Sequence, residues 1–279
     1  MSKKQPKIIG IVNITEDSFS DGGLYLDPGD ALAHARALSA EGADVIELGP
    51  ASSHPDAAPV TAEEECRRLA PVIEQLVADG VRVSVDSFLP ETQRFALARG
   101  AAYLNDIQGF PDPAQYAHLA AADCHLIVMH SVQLRDPATL VSTDPKAIVG
   151  RIERFFAERL DALTTAGIPQ DRLIIDPGLG YFLGSNPEPS LVAMGVLPRL
   201  KARFHVPVLV SPSRKSFVRN ITGRAIADVG AASLGAELYA ASQGVNYIRT
   251  HDVAALCDAL TVHNAIAAAA GSSAGSLPG

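Results

Sequence analysis

Short apolar runs rich in Val and Ile alternate with longer amphipathic stretches along the whole chain of 279 residues. The short runs are apolar at almost every position, which is typical of strands covered on both faces, and the longer stretches carry apolar residues at helical spacing. Strands are predicted at 7–14, 43–49, 81–86, 102–106, 125–130, 172–176, 207–211 and 246–251. Helices are predicted at 28–41, 61–79, 90–99, 113–122, 144–166, 187–204, 229–243 and 252–269.

This alternation predicts a parallel sheet, because each strand is followed by a helix that returns the chain to the same edge. Eight such units without a break in composition favour a single (β/α)8 barrel, the TIM barrel, over residues 1–270. A doubly wound sheet is the alternative, but "NITEDSFSDGG" after the first strand lacks the glycine fingerprint of dinucleotide binding. Residues 271–279 have little to bury and are expected to form a disordered tail.

Charge and composition exclude several classes of function. The chain has 23 basic and 31 acidic residues without a basic block, so a nucleic acid is not an expected partner. No run approaches the roughly 20 apolar residues of a membrane span, and the first residues lack a signal-peptide core. We therefore expect a cytoplasmic protein without a membrane partner. The three cysteines are far apart, lack metal-ligand spacing and are expected to be inert.

Polar residues end several of the predicted strands, and in a (β/α)8 barrel the active site lies at those ends. Asp86, Asn105 and Asp176 occur there, and Lys215 follows the seventh strand. A single carboxylate at such a position is often only a helix cap, as Asp86 could be for the helix at Pro90. Four such groups in one barrel mouth instead indicate a site for a small, planar, nitrogen-rich ring, because a carboxylate accepts two parallel N–H donors from such an edge.

A second group of polar residues favours an anion. Asn13, Arg249 and His251 belong to the first and last strands, which are adjacent in a closed barrel, and they offer an oxygen ligand, a bidentate donor and a titratable donor. This combination is typical of a site for Mg²⁺ and pyrophosphate. The segment Ser211 to Ser216 follows strand seven at the start of a helix, where hydroxyl and backbone N–H groups could hold a carboxylate or phosphate.

Eight motifs occur in the order found in one enzyme family: "IVNITEDSFSDGG", "GADVIELGPASS", "VSVDS", "NDI", "IVMH", "IIDPGLG", "SRKSF" and "RTHD". From about residue 8 to 265 the chain resembles the dihydropteroate synthases of folate biosynthesis. The resemblance implies a (β/α)8 homodimer that joins 6-hydroxymethyl-7,8-dihydropterin pyrophosphate to p-aminobenzoate. It also implies Mg²⁺ as cofactor and release of pyrophosphate.

The same resemblance implies a role for each matching residue. The implied pterin contacts are Asp86, Asn105, Met129, Asp176 and Lys215. The implied aminobenzoate contacts are Ser213, Arg214, Ser216 and Phe182. The implied pyrophosphate contacts are Asn13, Ser53, Arg249 and His251, with Asn13 also the metal ligand. The residues implied to carry catalysis are Lys215, Asp86, Asp176, Arg249 and His251.

The chain departs from the commonest family pattern in three loops. Ser53 and His54 stand where that pattern has Ser-Thr-Arg-Pro, residues 87–90 replace Thr-Ser-Lys-Pro, and the strand-six loop "GLGYFLGS" is longer and more aromatic. These departures are similar to the sulfonamide-insensitive, Sul-type synthases, in which an inserted Phe-Gly lies beside the aminobenzoate subsite. Our hypothesis is that Phe182, together with Tyr181, narrows that subsite against a tetrahedral sulfonyl group. The alternative is that the two rings pack under the loop.

Two other functions are compatible with a pterin-binding barrel. One is a methyltransferase that passes a methyl group from a folate to a corrinoid, although it has no use for pyrophosphate ligands such as Asn13, Arg249 and His251. The other is a non-catalytic pterin-binding paralogue, which the missing arginine near residues 53–54 favours. Release of pyrophosphate distinguishes both from a synthase.

Overall fold

The computed structural model of the chain describes residues 5–15, 27–52, 57–133, 138 and 140–274. Its strands are β1 (Lys7–Asn13), β2 (Val45–Gly49), β3 (Val83–Asp86), β4 (Tyr103–Asp106), β5 (His125–Met129), β6 (Leu173–Asp176), β7 (Leu209–Val210) and β8 (Tyr247–Thr250). Its helices are α1 (Pro28–Ala40), α2 (Ala62–Ala78), α3 (Pro90–Ala98), α4 (Tyr116–Ala121), α5 (Pro145–Thr165), α6 (Glu188–Gly195), α7 (Leu197–Phe204), α8 (Ser216–Thr222), α9 (Gly230–Ser242) and α10 (Val253–Ala274). All eight predicted strands are confirmed.

The strands form one parallel sheet that closes on itself. Their order is β6-β5-β4-β3-β2-β1-β8-β7, and a bridge between Ile175 and Val208 joins the two outer strands. The closing contact makes the sheet a nearly closed barrel, as expected of the (β/α)8 fold and unlike an open doubly wound sheet.

The strands alternate between the barrel interior and the surrounding helices. Ile46, Leu48 and Val85 face outward and join the large core under the helices. One inward residue from each of seven strands forms an apolar floor inside the barrel: Ile9, Val45, Tyr103, Ile127, Ile174, Leu209 and Tyr247. Two residues further along each strand, the next inward positions are Ile11, Glu47, Asn105, Met129, Asp176, Ser211 and Arg249. The polar layer therefore begins directly above the floor.

One predicted helix is divided in two. The pattern at 187–204 predicted a continuous helix, but α6 ends at Gly195 and α7 begins at Leu197. Val196 lies between them with φ −102° and ψ 7°. Pro198 in the first turn of α7 explains the break, because a proline inside a helix removes a backbone donor and disfavours helical geometry before it.

The last helix is longer and more apolar than we predicted. It continues to Ala274, four residues into the segment expected to be disordered, and residues 275–279 lie outside the described part of the chain. Its window Val253–Ala270 has a mean hydropathy of 1.5, so by length and composition alone it could span a membrane, contrary to the expectation that no run comes close. Val253, Leu256 and Leu260 are buried in the core under the helices and make up the 17% of this window that is buried.

Candidate active site

A cavity of about 190 Å³ opens at the C-terminal ends of the strands. Nine of the residues predicted from the sequence line it: Asn13, Asp86, Phe182, Ser213, Arg214, Lys215, Ser216, Arg249 and His251. Asn105, Met129 and Asp176 lie beside this lining, through the contacts described below. Ser53 and His54 lie outside the described residues. The strand ends thus bring the predicted groups together.

Asp86 and Asn105 form a hydrogen-bonded pair at the ends of β3 and β4. Asn105 Nδ2 donates to Asp86 Oδ1 at 2.7 Å, and Asn105 Oδ1 is buried without a hydrogen-bond partner among the described residues. Asp86 does not cap α3, because the N-cap position is Leu89 and its N–H donates to Ser87 Oγ at 3.1 Å. The pair therefore offers acceptor atoms to a ligand rather than to the backbone.

Asp176 serves both the backbone and the cavity side of the barrel. Its Oδ1 accepts the N–H of Gly178 at 2.9 Å, which is the turn role common for an aspartate after a strand. Its Oδ2 lies 3.9 Å from Nη1 of Arg249. Asp176 is 2% exposed and Arg249 is 6% exposed, so this contact is shielded from solvent.

The charged groups of the mouth influence one another. Burial raises the pKa of Asp86 and of Asp176, and the charge of Arg249 opposes this rise in both. Burial and the nearby Arg249 lower the pKa of Lys215, against the attraction of Asp176 and Asp86. A ligand that changes one of these charges therefore changes the proton affinity of the others.

The strand-six loop lies directly against the start of α8. A Cβ added at residue 180 would lie 2.8 Å from Ser216 Oγ, so only a glycine allows this close approach. Gly180 also has a φ of +66°, a left-handed backbone that glycine adopts readily. Phe182 packs with Ile107, Met129 and Ala138 and also lines the cavity. Packing under the loop and shaping the pocket are therefore compatible roles for this ring.

The loop after β7 holds His251 and constrains Arg214. His251 Nδ1 lies 3.0 Å from Ser213 Oγ, which also accepts the His251 backbone N–H at 3.3 Å. Arg214 has a left-handed backbone, with φ +56°, and its N–H donates to Ser233 Oγ at 3.0 Å. Strain of this kind in a residue other than glycine persists only where the surroundings enforce it. The structure thus places Ser213 beside His251, while Arg214 and Ser216 line the cavity.

Several polar residues of the site were not predicted from the sequence. Glu47 lines the cavity and contacts Arg249, and Thr15 lines it with a buried Oγ1 that has no hydrogen-bond partner among the described residues. Behind the mouth, Gln93 donates to the Ser87 carbonyl at 2.9 Å and to Asp106 Oδ2 at 3.0 Å, which links the ends of β3 and β4. The available signal for Glu47 was an isolated acid within the apolar run "VIELG".

No group of three or more His, Cys, Asp or Glu side chains is placed to hold a metal ion within the described part of the chain. The barrel mouth nevertheless offers oxygen atoms from several types of side chain. They include the amide of Asn13, the hydroxyl of Thr15 and the carboxylates described above.

Comparison with known proteins identifies the family. The profile of the pterin binding enzymes matches residues 9–251. The chain is 56% identical over 255 residues to the dihydropteroate synthase type-2 of Escherichia coli, which covers 91% of this chain and 94% of that protein. The chain belongs to the dihydropteroate synthase family. The resemblance seen in the motifs is thereby confirmed, and the type-2 relative fits the Sul-type branch.

Solved structures of dihydropteroate synthases share the fold closely. The enzyme of Xanthomonas albilineans with 4-aminobenzoic acid is 41% identical, with a TM-score of 0.85 over 95% of this chain and 94% of that one. The same enzyme in complex with 7,8-dihydropteroate is 38% identical, with a TM-score of 0.81 over 96% of each chain. The family's (β/α)8 barrel is thus the fold of this chain.

Proposed function

We propose that this chain condenses 6-hydroxymethyl-7,8-dihydropterin pyrophosphate with p-aminobenzoate, giving 7,8-dihydropteroate and pyrophosphate. The observation that carries the proposal is that acids and cations share one barrel mouth in a member of this family, with Asp86, Lys215 and Arg249 lining one cavity. Such a mouth complements a nitrogen-rich ring that carries an anionic leaving group.

In this proposal the pterin ring binds deepest, against Asp86, Asn105 and Asp176. The unpartnered Oδ1 of Asn105 supports this role, because a buried acceptor without a donor costs free energy that a pterin N–H would recover. Lys215 contacts the ring from the cavity side, and Met129 contributes an apolar surface. The acids orient the ring so that its side-chain methylene faces the aminobenzoate.

Arg249, His251 and Asn13 hold the pyrophosphate. As the C–O bond breaks, the electron pair leaves with pyrophosphate and a pterin-stabilised methylene cation remains, so donors aimed at the leaving oxygens lower the barrier. The Ser213 hydroxyl, at 3.0 Å from His251 Nδ1, can donate its proton there and leave Nε2–H as the donor toward the phosphate. Ser53 stays a predicted contact.

Mg²⁺ fits the donor set proposed for this end of the site. The amide oxygen of Asn13 and the buried, unpartnered hydroxyl of Thr15 are hard oxygen donors at the cavity wall. Few protein ligands suffice, because Mg²⁺ keeps several waters and substrate phosphate oxygens in its shell. When bound, Mg²⁺ would supply charge neutralisation of the pyrophosphate.

Ser216 and Arg214 bind the aminobenzoate carboxylate in this account. The arylamine then attacks the methylene carbon and loses a proton, a step that needs positioning more than activation. Phe182 lies beside Lys215 and lines the same cavity, which supports a role in narrowing this subsite. We therefore propose that the enzyme tolerates sulfonamides, since a tetrahedral sulfonyl group would collide where a planar carboxylate fits.

A non-catalytic pterin-binding paralogue remains the second candidate, because no arginine occurs near residues 53–54. Formation of 7,8-dihydropteroate is the deciding assay, run with both substrates, with each omitted, and with sulfamethoxazole. We expect product only with both substrates and little inhibition by the drug. Binding of the pterin without any product would favour the paralogue. A folate-dependent methyltransferase has no use for the pyrophosphate contacts and is the weaker alternative.

We also propose a homodimer and a cytoplasmic location. Tyr239 on α9 and Val262 and Ile266 on α10 are large apolar side chains exposed by 45%, 59% and 65%, and burial in a second copy would remove them from water. Light scattering during size-exclusion chromatography should give twice the mass of one chain. A single-chain mass would contradict the dimer.

A further inference from the structure

Glu47 is a buried acid in the barrel mouth to which the proposed mechanism gives no role. It follows the floor residue Val45 by two positions in β2, so its side chain enters the interior, beside Ile11 of β1 and Ser84 of β3. Glu47 is 3% exposed and lines the substrate cavity. An acid at such a position requires a partner.

The partner of Glu47 is Arg249, two strands away. Arg249 Nε lies 2.8 Å from Glu47 Oε1, and Nη2 donates to Oε2 at 3.0 Å. Ser84 Oγ also donates to Oε2, at 3.1 Å, which restrains the carboxylate itself. One hydrogen bond from Nη2 and the close approach of Nε, which lies within ion-pair distance of this carboxylate without donating a hydrogen bond to it, hold the guanidinium there.

The same guanidinium has a competing acid on its other side. Asp176 Oδ2 lies 3.9 Å from Nη1, a longer distance than either contact with Glu47. Asp176 is the carboxylate that the proposed function assigns to the pterin ring. If Glu47 were neutral, Arg249 would be drawn toward Asp176, because attraction between opposite charges is strong in a site shielded from water.

We propose that Glu47 is a positioning residue: it holds Arg249 at the pyrophosphate end of the mouth and so keeps Asp176 available to the pterin ring. This inference rests on the proposed function. It assigns Glu47 no contact with the reacting atoms. Its effect on catalysis passes through Arg249 alone.

The test is a double-mutant cycle with Glu47→Gln and Arg249→Ala, using pyrophosphate release with both substrates. Glu47→Gln should lower kcat/KM for the pterin pyrophosphate by about tenfold or more and change KM for p-aminobenzoate by less than about twofold. In the Arg249→Ala background the same change should cost no more than about twofold, or recover activity.

A matched control is Glu153→Gln. Glu153 is 7% exposed and accepts hydrogen bonds from Arg199, at 2.7 and 2.9 Å, and from Arg203, at 3.0 Å, between α5 and α7 outside the barrel. Glu153→Gln removes the ion pairs with both arginines and should lower the melting temperature without changing either KM. If Glu47→Gln does not fold, Glu47→Asp, which keeps the charge but shortens its reach, takes its place in the cycle.

The outcomes separate this inference from the proposed function. No pyrophosphate release by the unchanged protein would reject the function itself. Release with Glu47→Gln equal to the unchanged protein, or the same fold loss in both Arg249 backgrounds, would overturn the positioning role. A loss that disappears when Arg249 is absent supports it.

Discussion

The ammonium of Lys215 lies 4.8 Å from the centre of the Phe182 ring. A cation at this distance from an aromatic face gains on the order of 1 kcal/mol. The contact couples the aromatic loop after β6, which departs from the common family pattern, to the lysine proposed to contact the pterin. A change at Phe182 should therefore alter both inhibitor selectivity and turnover.

Replacing Phe182 by glycine should make the enzyme more sensitive to sulfonamides. The ring lines the cavity and packs with Ile107 and Met129, so its loss opens space for a tetrahedral sulfonyl group. We expect the inhibition constant of sulfamethoxazole to fall by about tenfold or more, since removing a steric clash is worth a few kcal/mol. Tyr181→Gly tests the second ring of the pair, which also lines the cavity. An inhibition constant that stays unchanged in Phe182→Gly would reject the steric hypothesis.

Lys215→Ala and Asp176→Asn should each abolish most turnover. Both side chains belong to the charged group around the proposed pterin site, and losing one charge leaves the other charges unbalanced in a buried place. A loss of about a hundredfold or more in kcat/KM is expected from steady-state kinetics. Lys201→Ala is the control, because its ammonium donates to the Gly244 carbonyl at the other end of the barrel. Near-normal activity of either site variant would refute its assigned role.

Removal of Mg²⁺ should stop the reaction, and Asn13→Ala should raise the Mg²⁺ concentration needed for half-maximal rate. Asn13 is the proposed protein ligand of the metal. In Asn13→Ala the substrate phosphates would still supply ligands, so Mg²⁺ would bind, but more weakly than in the unchanged protein. Titration of the rate with MgCl₂ after chelation measures the shift. Asn220→Ala, which loses a hydrogen bond to the Ser185 carbonyl, should leave the titration unchanged. An unshifted curve for Asn13→Ala would remove Asn13 as a ligand.

Glu237 should make the protein less stable as the pH rises. Burial raises the pKa of Glu237 to about 7, and the side chain is 2% exposed between α9 and β8. Between its ordinary pKa near 4.5 and about 7, the folded chain binds a proton that the unfolded chain does not, so the free energy of unfolding falls by on the order of 3 kcal/mol across this window.

Glu237→Gln should remove that part of the pH dependence. Urea unfolding at about pH 5 and about pH 8 should therefore show the variant gaining stability over the unchanged protein at the higher pH. Glu63→Gln, an exposed acid in the first turn of α2, is the control for the loss of one negative charge. Equal pH dependence of Glu237→Gln and the unchanged protein would contradict the assignment.

The strands of the barrel were predictable because the apolar pattern of a strand is visible within its own residues. A strand buried on both faces must be apolar. A polar residue at the end of such a strand therefore needs a partner, which is a ligand, a helix N-terminus or the solvent. Helix ends were less predictable. The division at Val196 was signalled by Pro198, but the extension of α10 through Gly271 was not, since no single residue there dictates where an exposed helix stops.

The site was predictable as a set of residues and not as a network. Asp86, Asp176 and Lys215 could be named from strand ends, whereas the partner of each side chain depends on distances across the barrel. Glu47 contacts Arg249 from 202 positions away, and nothing local to either residue reveals that pairing. Ser213 illustrates the same limit, because its contact with His251 joins two loops after different strands.

The measurement that tests the account most directly is the release of pyrophosphate from 6-hydroxymethyl-7,8-dihydropterin pyrophosphate, with and without p-aminobenzoate. The account predicts Mg²⁺-dependent release that requires the arylamine and yields one 7,8-dihydropteroate for each pyrophosphate. Tight binding of the pterin with no release of pyrophosphate in the presence of p-aminobenzoate and Mg²⁺ would contradict it.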